Sequence, residues 1–302
     1  MARKGAYGSR CGRPVHWRDP VGEPMLKIAG KSYWTRRELC EQAHSLGLRA
    51  GDDVMVHAAM RKVGPLIDGP DTLIGALLDA IGPEGTLLCY TNWEQQYEDG
   101  LDSSGALDPA TKADVPAFRP EASRASRDHG VIAEFIRTWP GALRSGNLGA
   151  SIAAIGAKAD WYTRHHPLQY GYGEDSPFAR LVQSNGKVMM VGAPLDTMTL
   201  LHHAEHLARV EKKRIVRLEV PLWIEGTTHW QTIEEFDTCD PVVDGLAADY
   251  FGTVVEDFLN SGNGTRGVIG NADSIVVSAR EITDFGVKWL ESVVPELQRD
   301  GY

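Results

Sequence analysis

The sequence predicts an α/β fold: a mixed, mostly parallel sheet with helices on both faces, plus an antiparallel hairpin. Three observations predict it. Between Asp53 and Thr91 a strand, a glycine-bearing loop, a helix and a second strand follow one another, which is a βαβ unit with parallel neighbours. Lys187 to Val191 is an apolar strand that turns at Gly192-Ala193-Pro194 into a helical stretch reaching Val210. Arg214 to Leu222 and His229 to Glu235 alternate about Glu225-Gly226, the pattern of a hairpin.

The elements follow in order. Residues 1–22 carry Arg3, Lys4, Arg10, Arg13 and Arg18 with no acid before Asp19, and read as a basic tail outside the core. Residues 23–302 then form one domain, long enough for a large core. Thr35-Arg36-Arg37-Glu38 is a capping box for a helix that Gly47 stops. Asp53 to His57 is a buried strand, Gly64 to Pro70 a loop, Asp71 to Ile81 a helix, and Thr86 to Thr91 the second strand. Periodicity then fades from Asn92 to Asp128, and an irregular segment of that length inside a domain is usually functional. Helices are predicted over Val131 to Thr138, from Ser176-Pro177 to Asn185-Gly186, over Leu246 to Leu259 and over Ile282 to Leu297, with a strand at Ser151 to Gly156.

Composition narrows the function. With 31 basic and 41 acidic residues the net charge is −10, which disfavours nucleic acid and favours cationic ligands. No apolar run is long enough to span a bilayer, and the first residues lack the apolar core of a signal peptide, so a cytoplasmic protein without membrane attachment is expected. The four cysteines are scattered with no Cys-x-x-Cys pair, so no cysteine metal site is indicated.

The chemistry concentrates in the helical stretch after Val191, which carries His202, His203, Glu205 and His206. Strand-to-helix junctions of this kind are where α/β proteins place their sites. One reading makes His202 a lone general base. The other takes His202-x-x-Glu205-His206 as a zinc-hydrolase pattern, with two ligands at i and i+4 and a glutamate between them. Two loops are candidates for holding a cofactor. In His57-Ala58-Ala59-Met60-Arg61-Lys62, backbone N–H groups and two cations follow a strand, although a solvated loop looks the same. Arg144-Ser145-Gly146-Asn147 is a polar loop able to meet phosphate, or a plain turn.

Several segments in order resemble the aminoglycoside 3-N-acetyltransferase family, whose α/β fold is distinct from the GNAT superfamily. They are Val56-His57-Ala58-Ala59-Met60, Val63-Gly64-Pro65, Asp68-Gly69-Pro70, Gly82-Pro83-Glu84-Gly85-Thr86 and Trp139-Pro140-Gly141-Ala142 with Arg144-Ser145. Gly192-Ala193-Pro194-Leu195-Asp196, Thr199 to Glu205, Phe236-Asp237 and Phe285 to Leu290 continue the match. The resemblance implies a single acetyltransferase domain that moves acetyl from acetyl-CoA to the 3-amine of a 2-deoxystreptamine antibiotic and so confers resistance. No metal is expected. It implies that His202 is the general base, oriented by Asp237; helix spacing makes Glu205, three residues on along the same face, the rival orienter. His57, Ala58, Ala59, Met60 and Arg61 resemble the CoA-thioester loop, and Arg144 and Ser145 part of the CoA segment. The family's usual serine is Ala59 here, and its Arg-Ser-x-His-Pro run reads Arg144-Ser145-Gly146-Asn147-Leu148. Its Trp-Asp-x-x-Pro-Tyr-Glu run reads Trp93-Glu94-Gln95-Gln96-Tyr97-Glu98, one residue shorter and without the proline.

The residues suit that chemistry. An ammonium cannot attack a thioester, and imidazole, with an ordinary pKa of about 6.5, is a suitable acceptor for its proton. Backbone N–H groups around Ala58 to Arg61 are candidates for an oxyanion hole. A polycationic antibiotic requires carboxylates, and Glu94, Glu98 and Asp196 are candidates, with Trp93 and Tyr97 as stacking platforms. The alternatives are a different small amine as acceptor, and the zinc hydrolase. A monomer or a homodimer is expected.

Overall fold

The computed structural model describes residues 26–93 and 96–299, so the basic tail and Glu94 lie outside the described residues. The strands are β1 (Leu26–Ile28), β2 (Lys31–Tyr33), β3 (Asp53–Ala58), β4 (Thr86–Tyr90), β5 (Leu143–Arg144), β6 (Ile152–Gly156), β7 (Lys187–Val191), β8 (Ile215–Ile224), β9 (Thr227–Phe236), β10 (Thr265–Ile269) and β11 (Ala272–Ser278). Seven of them form one sheet in the order β10-β11-β7-β3-β4-β6-β5. The βαβ unit is present: β3 pairs parallel with β4, and with β7 on its other side. Parallel pairing is confined to this centre, since β6 and β5 on one flank and β11 and β10 on the other pair antiparallel. Five of the seven strands (β10, β7, β3, β4 and β5) nevertheless run in one direction, which keeps the sheet mixed but mostly parallel.

Alternation along the central strands assigns side chains to two apolar layers. Met55, Leu88, Val188 and Met190 face a layer that contains Phe178, Leu201, Val254 and Leu290, from the helices Pro177–Gln183, Leu201–Leu207, Tyr250–Asn260 and Ala279–Arg299. Val54, Val56, Leu87 and Met189 face the opposite layer, built from the helices Arg36–Ser45, Pro70–Ile81 and Val131–Arg137. The Thr35/Glu38 capping box opens the first of these as the pattern predicts.

The hairpin β8–β9 is ten residues long on each side, longer than its alternation indicated, and covers a third small core with Trp93, Phe118 and Leu148. The long segment after Asn92 is a platform joined to β8: Phe118 N–H donates to the Pro221 carbonyl at 2.8 Å, and Trp223 N–H to that of Phe118 at 3.1 Å. At Gly105 the backbone passes so close to β8 that a Cβ would stand 1.8 Å from the Arg217 carbonyl oxygen. With φ at +78° as well, glycine is required there.

After β7 the helical stretch is shorter than its sequence indicated. Leu195–Thr197 forms a single 3-10 turn, and the α-helix runs only from Leu201 to Leu207. The Thr197 hydroxyl donates to the Pro194 carbonyl at 2.7 Å, a local bond that competes with helix propagation. This short helix projects from the end of the sheet at which β3, β4 and β7 terminate, the end where ligands bind in open α/β sheets.

Candidate active site

On the Leu201–Leu207 helix, residues three apart share a face, and the His202–Glu205 pair makes contact. His202 Nδ1 donates to Glu205 Oε2 at 2.6 Å. The other oxygen, Oε1, accepts from the hydroxyl of Tyr250, the first residue of the Tyr250–Asn260 helix. Glu205 is buried, and its carboxylate thus has one donor on each oxygen. Burial and the adjacent Glu205 carboxylate raise the Tyr250 phenol well above its ordinary value, so it stays protonated as the donor. The His202 ring lies 4.9 Å from Tyr172 and 4.8 Å from Phe251, centroid to centroid, between two aromatic walls. With Nδ1 directed to Glu205, Nε2 is left without a protein partner among the described residues.

Beside this group lies a cleft of about 570 Å³, between the sheet end, the 92–128 platform and the hairpin. Glu98, Asp128, Glu235, Asp237 and Asp240 line it, and among the described residues no lysine or arginine does. Its floor is Tyr90 and Tyr172, whose hydroxyls meet at 2.7 Å, with Tyr90 also donating to the Gly149 carbonyl at 2.7 Å. A smaller cavity of about 100 Å³ holds His202, Glu205, Asp196 and Tyr250, and shares Thr238, Cys239 and Asp240 with the cleft. The turn after Asp237 is therefore the partition between the histidine and the carboxylates. Within the cleft, burial first and Asp99 second push Glu98 up to about 7.

Asp237 does not reach His202. Its Oδ1 accepts from the N–H groups of Cys239 at 3.0 Å and Asp240 at 3.1 Å, and its Oδ2 faces Arg214 at 3.6 Å. Glu205 holds the position that the resemblance gave to Asp237, because one helix turn places it there without help from a loop. His203 and His206 point elsewhere. His203 Nδ1 donates to the Tyr172 carbonyl at 2.7 Å, and burial lowers it to about 4, so it is neutral. His206 Nε2 donates to Glu235 at 2.8 Å. The zinc pattern therefore does not assemble: its two histidines are directed to different carboxylates, and its glutamate is bonded to His202 and Tyr250. Among the described residues no group of three or more His, Cys, Asp and Glu side chains is placed to hold a metal ion.

The cofactor candidates divide. Arg144 is internal: Nε meets Ser151 Oγ at 3.1 Å, one terminal nitrogen the Ser123 carbonyl at 2.5 Å, and the other the Thr91 carbonyl. Burial lowers it to about 9. Ser145 is fully buried, with Oγ accepting from Ile152 N–H at 2.9 Å and bonded to His166 at 2.8 Å. Both residues brace the platform, and neither is placed to meet a phosphate; a polar loop in sequence is an internal polar knot in space. In the other loop, Ala59 N–H donates to the Val191 carbonyl at 2.9 Å, which removes it as an oxyanion donor. Ala58 ends β3, and Met60 and Arg61 open the short helix Met60–Val63. The His57 Nε2 atom is buried with no partner among the described residues, and burial together with His129 lowers the imidazole to about 4. A groove of about 350 Å³, lined by Arg124, Arg127 and Gly130, shares Ser126 with the cleft. A Cβ on Gly130 would stand 3.7 Å from the Ala58 carbonyl oxygen, so this groove adjoins the 58–61 loop.

Of the residues proposed for an antibiotic, Trp93 and Glu98 line the cleft. Tyr97 packs between Trp93 and Trp230, at 5.9 and 5.7 Å, beneath it. Asp196 is exposed and lines the small cavity with His202. The sequence reading missed Tyr250, Tyr172, Asp128, Glu235 and Asp240. Asp240 carries the only local signal, since it follows Asp237 by three residues in an acidic turn.

The geometry can now be set beside known proteins. A family model described as aminoglycoside 3-N-acetyltransferase matches residues 55–291. Aminoglycoside N(3)-acetyltransferase III of Pseudomonas aeruginosa is 44% identical over 260 residues, covering 85% of this chain and 94% of its own. Aminoglycoside N(3)-acetyltransferase VII of Streptomyces paromomycinus is 40% identical over 263 residues, covering 85% and 91%. Among solved structures, AAC-IIIb in binary complex with CoASH superposes with a TM-score of 0.86 at 57% identity, covering 87% of this chain and 98% of that one. AAC-VIa bound to sisomicin superposes with a TM-score of 0.83 at 38% identity, covering 87% and 99%. The chain belongs to the aminoglycoside 3-N-acetyltransferase family.

Proposed function

We propose that this protein transfers the acetyl group of acetyl-CoA to the 3-amine of a 2-deoxystreptamine aminoglycoside, and so confers resistance to it. The observation that carries the reading is the cleft that, among the described residues, is lined by five carboxylates and no cation, joined at one turn to the cavity of His202. A polycation entering it meets these carboxylates, and an amine at its edge comes next to the base. Acetyl-CoA supplies the acyl group as a thioester. The groove of Arg124, Arg127, Gly130 and Glu134 beside the 58–61 loop is our candidate for that substrate, because it opens toward the cleft at Ser126 and its Arg124, paired with Glu134 at 2.5 Å, is exposed enough to turn to a phosphate.

The chain's own residues then have defined tasks. His202 Nε2 takes the proton that the amine must lose, Nδ1 remains bonded to Glu205, and the imidazolium so formed is stabilised by that carboxylate. Tyr172 and Phe251 pack against the imidazole and hold its ring in place. These residues lie on one chain, so the reading needs no second copy. No helix among the described residues is long and apolar enough to cross a membrane, and the reading places the protein in the cytoplasm, where acetyl-CoA is available.

The test is thiol release from acetyl-CoA with a panel of 2-deoxystreptamine antibiotics, followed by mapping of the acetylated nitrogen. Turnover with the product acetylated at position 3 is expected. Binding of CoA with no turnover on any member would transfer the reading to another small amine.

Glu98 gives a pH signature. Its ionised form attracts a cation, and with the group at about 7 that form rises from roughly a tenth at pH 6 to nine tenths at pH 8. The KM for the antibiotic is expected to fall up to about 10-fold over this range, relative to a Glu98→Gln variant that carries no such proton. Parallel KM profiles in the two proteins would remove Glu98 from binding.

A further inference from the structure

Two features remain outside the mechanism above. One is Tyr250, which closes the second oxygen of Glu205. The other is the family-like segment Phe285 to Leu290 in the last helix, distant in sequence from any site residue. They meet in space. Trp289 stacks on Tyr250 with centroids 6.0 Å apart and planes 17° apart, and its indole N–H donates to Asp257 at 3.1 Å. Three residues before Trp289, Gly286 faces the Leu201–Leu207 helix so closely that a Cβ would lie 3.0 Å from Leu201 and 3.2 Å from Ala204. The last helix therefore backs both the helix that carries His202 and the tyrosine that holds Glu205.

We propose that Tyr250 is a positioning residue for acetyl transfer, clamped by Trp289, whose hydroxyl fixes the Glu205 carboxylate in the orientation that engages His202 Nδ1. A buried carboxylate with a single donor can rotate about its last torsion and offer either oxygen to the imidazole. A second donor on Oε1 removes that freedom and leaves Oε2 at 2.6 Å from His202. Hydrogen bonds to ionised groups are the stronger ones, so the phenol holds the carboxylate more firmly than a neutral pair would. The placement also accounts for the burial of Tyr250: its ring fills space between Phe251, at 4.7 Å, and Trp289, while its hydroxyl reaches the small cavity of His202.

The inference rests on His202 being the base, so the test separates the two. Tyr250→Phe keeps the ring and removes only the hydroxyl. Its kcat for acetyl transfer is expected to fall about 10-fold, the scale of one charge-assisted hydrogen bond, with KM for both substrates within about 2-fold. Independently of turnover, the low-field proton resonance of His202 Nδ1–H is expected to move or broaden in Tyr250→Phe. Trp289→Leu, which keeps the hydroxyl and loosens its clamp, is expected to reproduce both changes in weaker form. A wild-type kcat in Tyr250→Phe overturns the proposal, and so does a fall in kcat with the resonance unmoved, which would make Tyr250 a packing residue. An inactive wild-type protein whose resonance still moves in Tyr250→Phe would overturn the acetyltransferase reading and leave the clamp standing.

Discussion

His202→Ala is expected to lower kcat for antibiotic acetylation about 1,000-fold, the middle of the range for removing a general base. Binding of CoA, measured by calorimetry, is expected to stay within about 2-fold, because no part of the Arg124–Gly130 groove contacts the imidazole. The size of the effect follows from the surroundings. His203 donates its Nδ1 proton to a backbone carbonyl and is held neutral by burial, and His206 is bonded to Glu235 on the hairpin side. Neither can substitute by a change of rotamer. Asp237 lines the cleft but is held by the N–H groups of Cys239 and Asp240 and by Arg214, away from the place of the imidazole. Steady-state thiol release checks the prediction, and a wild-type rate would take His202 out of the mechanism.

The parts of the fold that were legible from sequence are those set by local rules. The β3–helix–β4 unit followed from alternating apolar runs punctuated by Gly64 to Pro70 and Gly82-Pro83, and the capping box was read directly. The i,i+3 relation of His202 and Glu205 was legible for the same reason: helix geometry alone brings them together. Long-range partners were illegible. Tyr250 lies 45 residues beyond Glu205, and nothing in Asp249-Tyr250-Phe251 distinguishes it from a core aromatic. Arg144 read as a phosphate ligand because a cation in a polar loop is normally exposed, yet β5 pairs with β6 and turns the guanidinium inward onto two backbone carbonyls. The hairpin β10–β11 was missed as well. Gly270-Asn271 is its turn, and Trp34, 237 residues away, anchors it through a 2.9 Å bond to Asn271.

Asp237 and Glu205 are told apart by a pair of substitutions with the second largest expected effect. Glu205→Gln keeps the size of the side chain and a carbonyl oxygen for His202 Nδ1, but removes the negative charge that stabilises the imidazolium. A fall in kcat of about 100-fold or more is expected, with KM for the antibiotic little changed, because the missing interaction is strongest when the proton has moved. Asp237→Asn is expected to behave differently. Its side-chain oxygen still accepts from Cys239 and Asp240, so the turn survives, and the cleft loses one of its carboxylates. KM for the polycation should rise several-fold, and more at low salt than at high salt, while kcat stays within about 3-fold. The two variants thus separate the axes of the rate law, one acting on the proton and the other on the encounter. The reverse pattern, with Asp237→Asn losing kcat and Glu205→Gln losing only affinity, would mean that the turn swings in when the antibiotic binds and that Asp237 replaces Glu205 on the imidazole. For that exchange Asp237 would have to give up two backbone N–H bonds and its place beside Arg214, while a 2.6 Å bond from His202 to Glu205 was broken. Each of these losses opposes it, and the helix pair, already formed, has nothing to gain from the change.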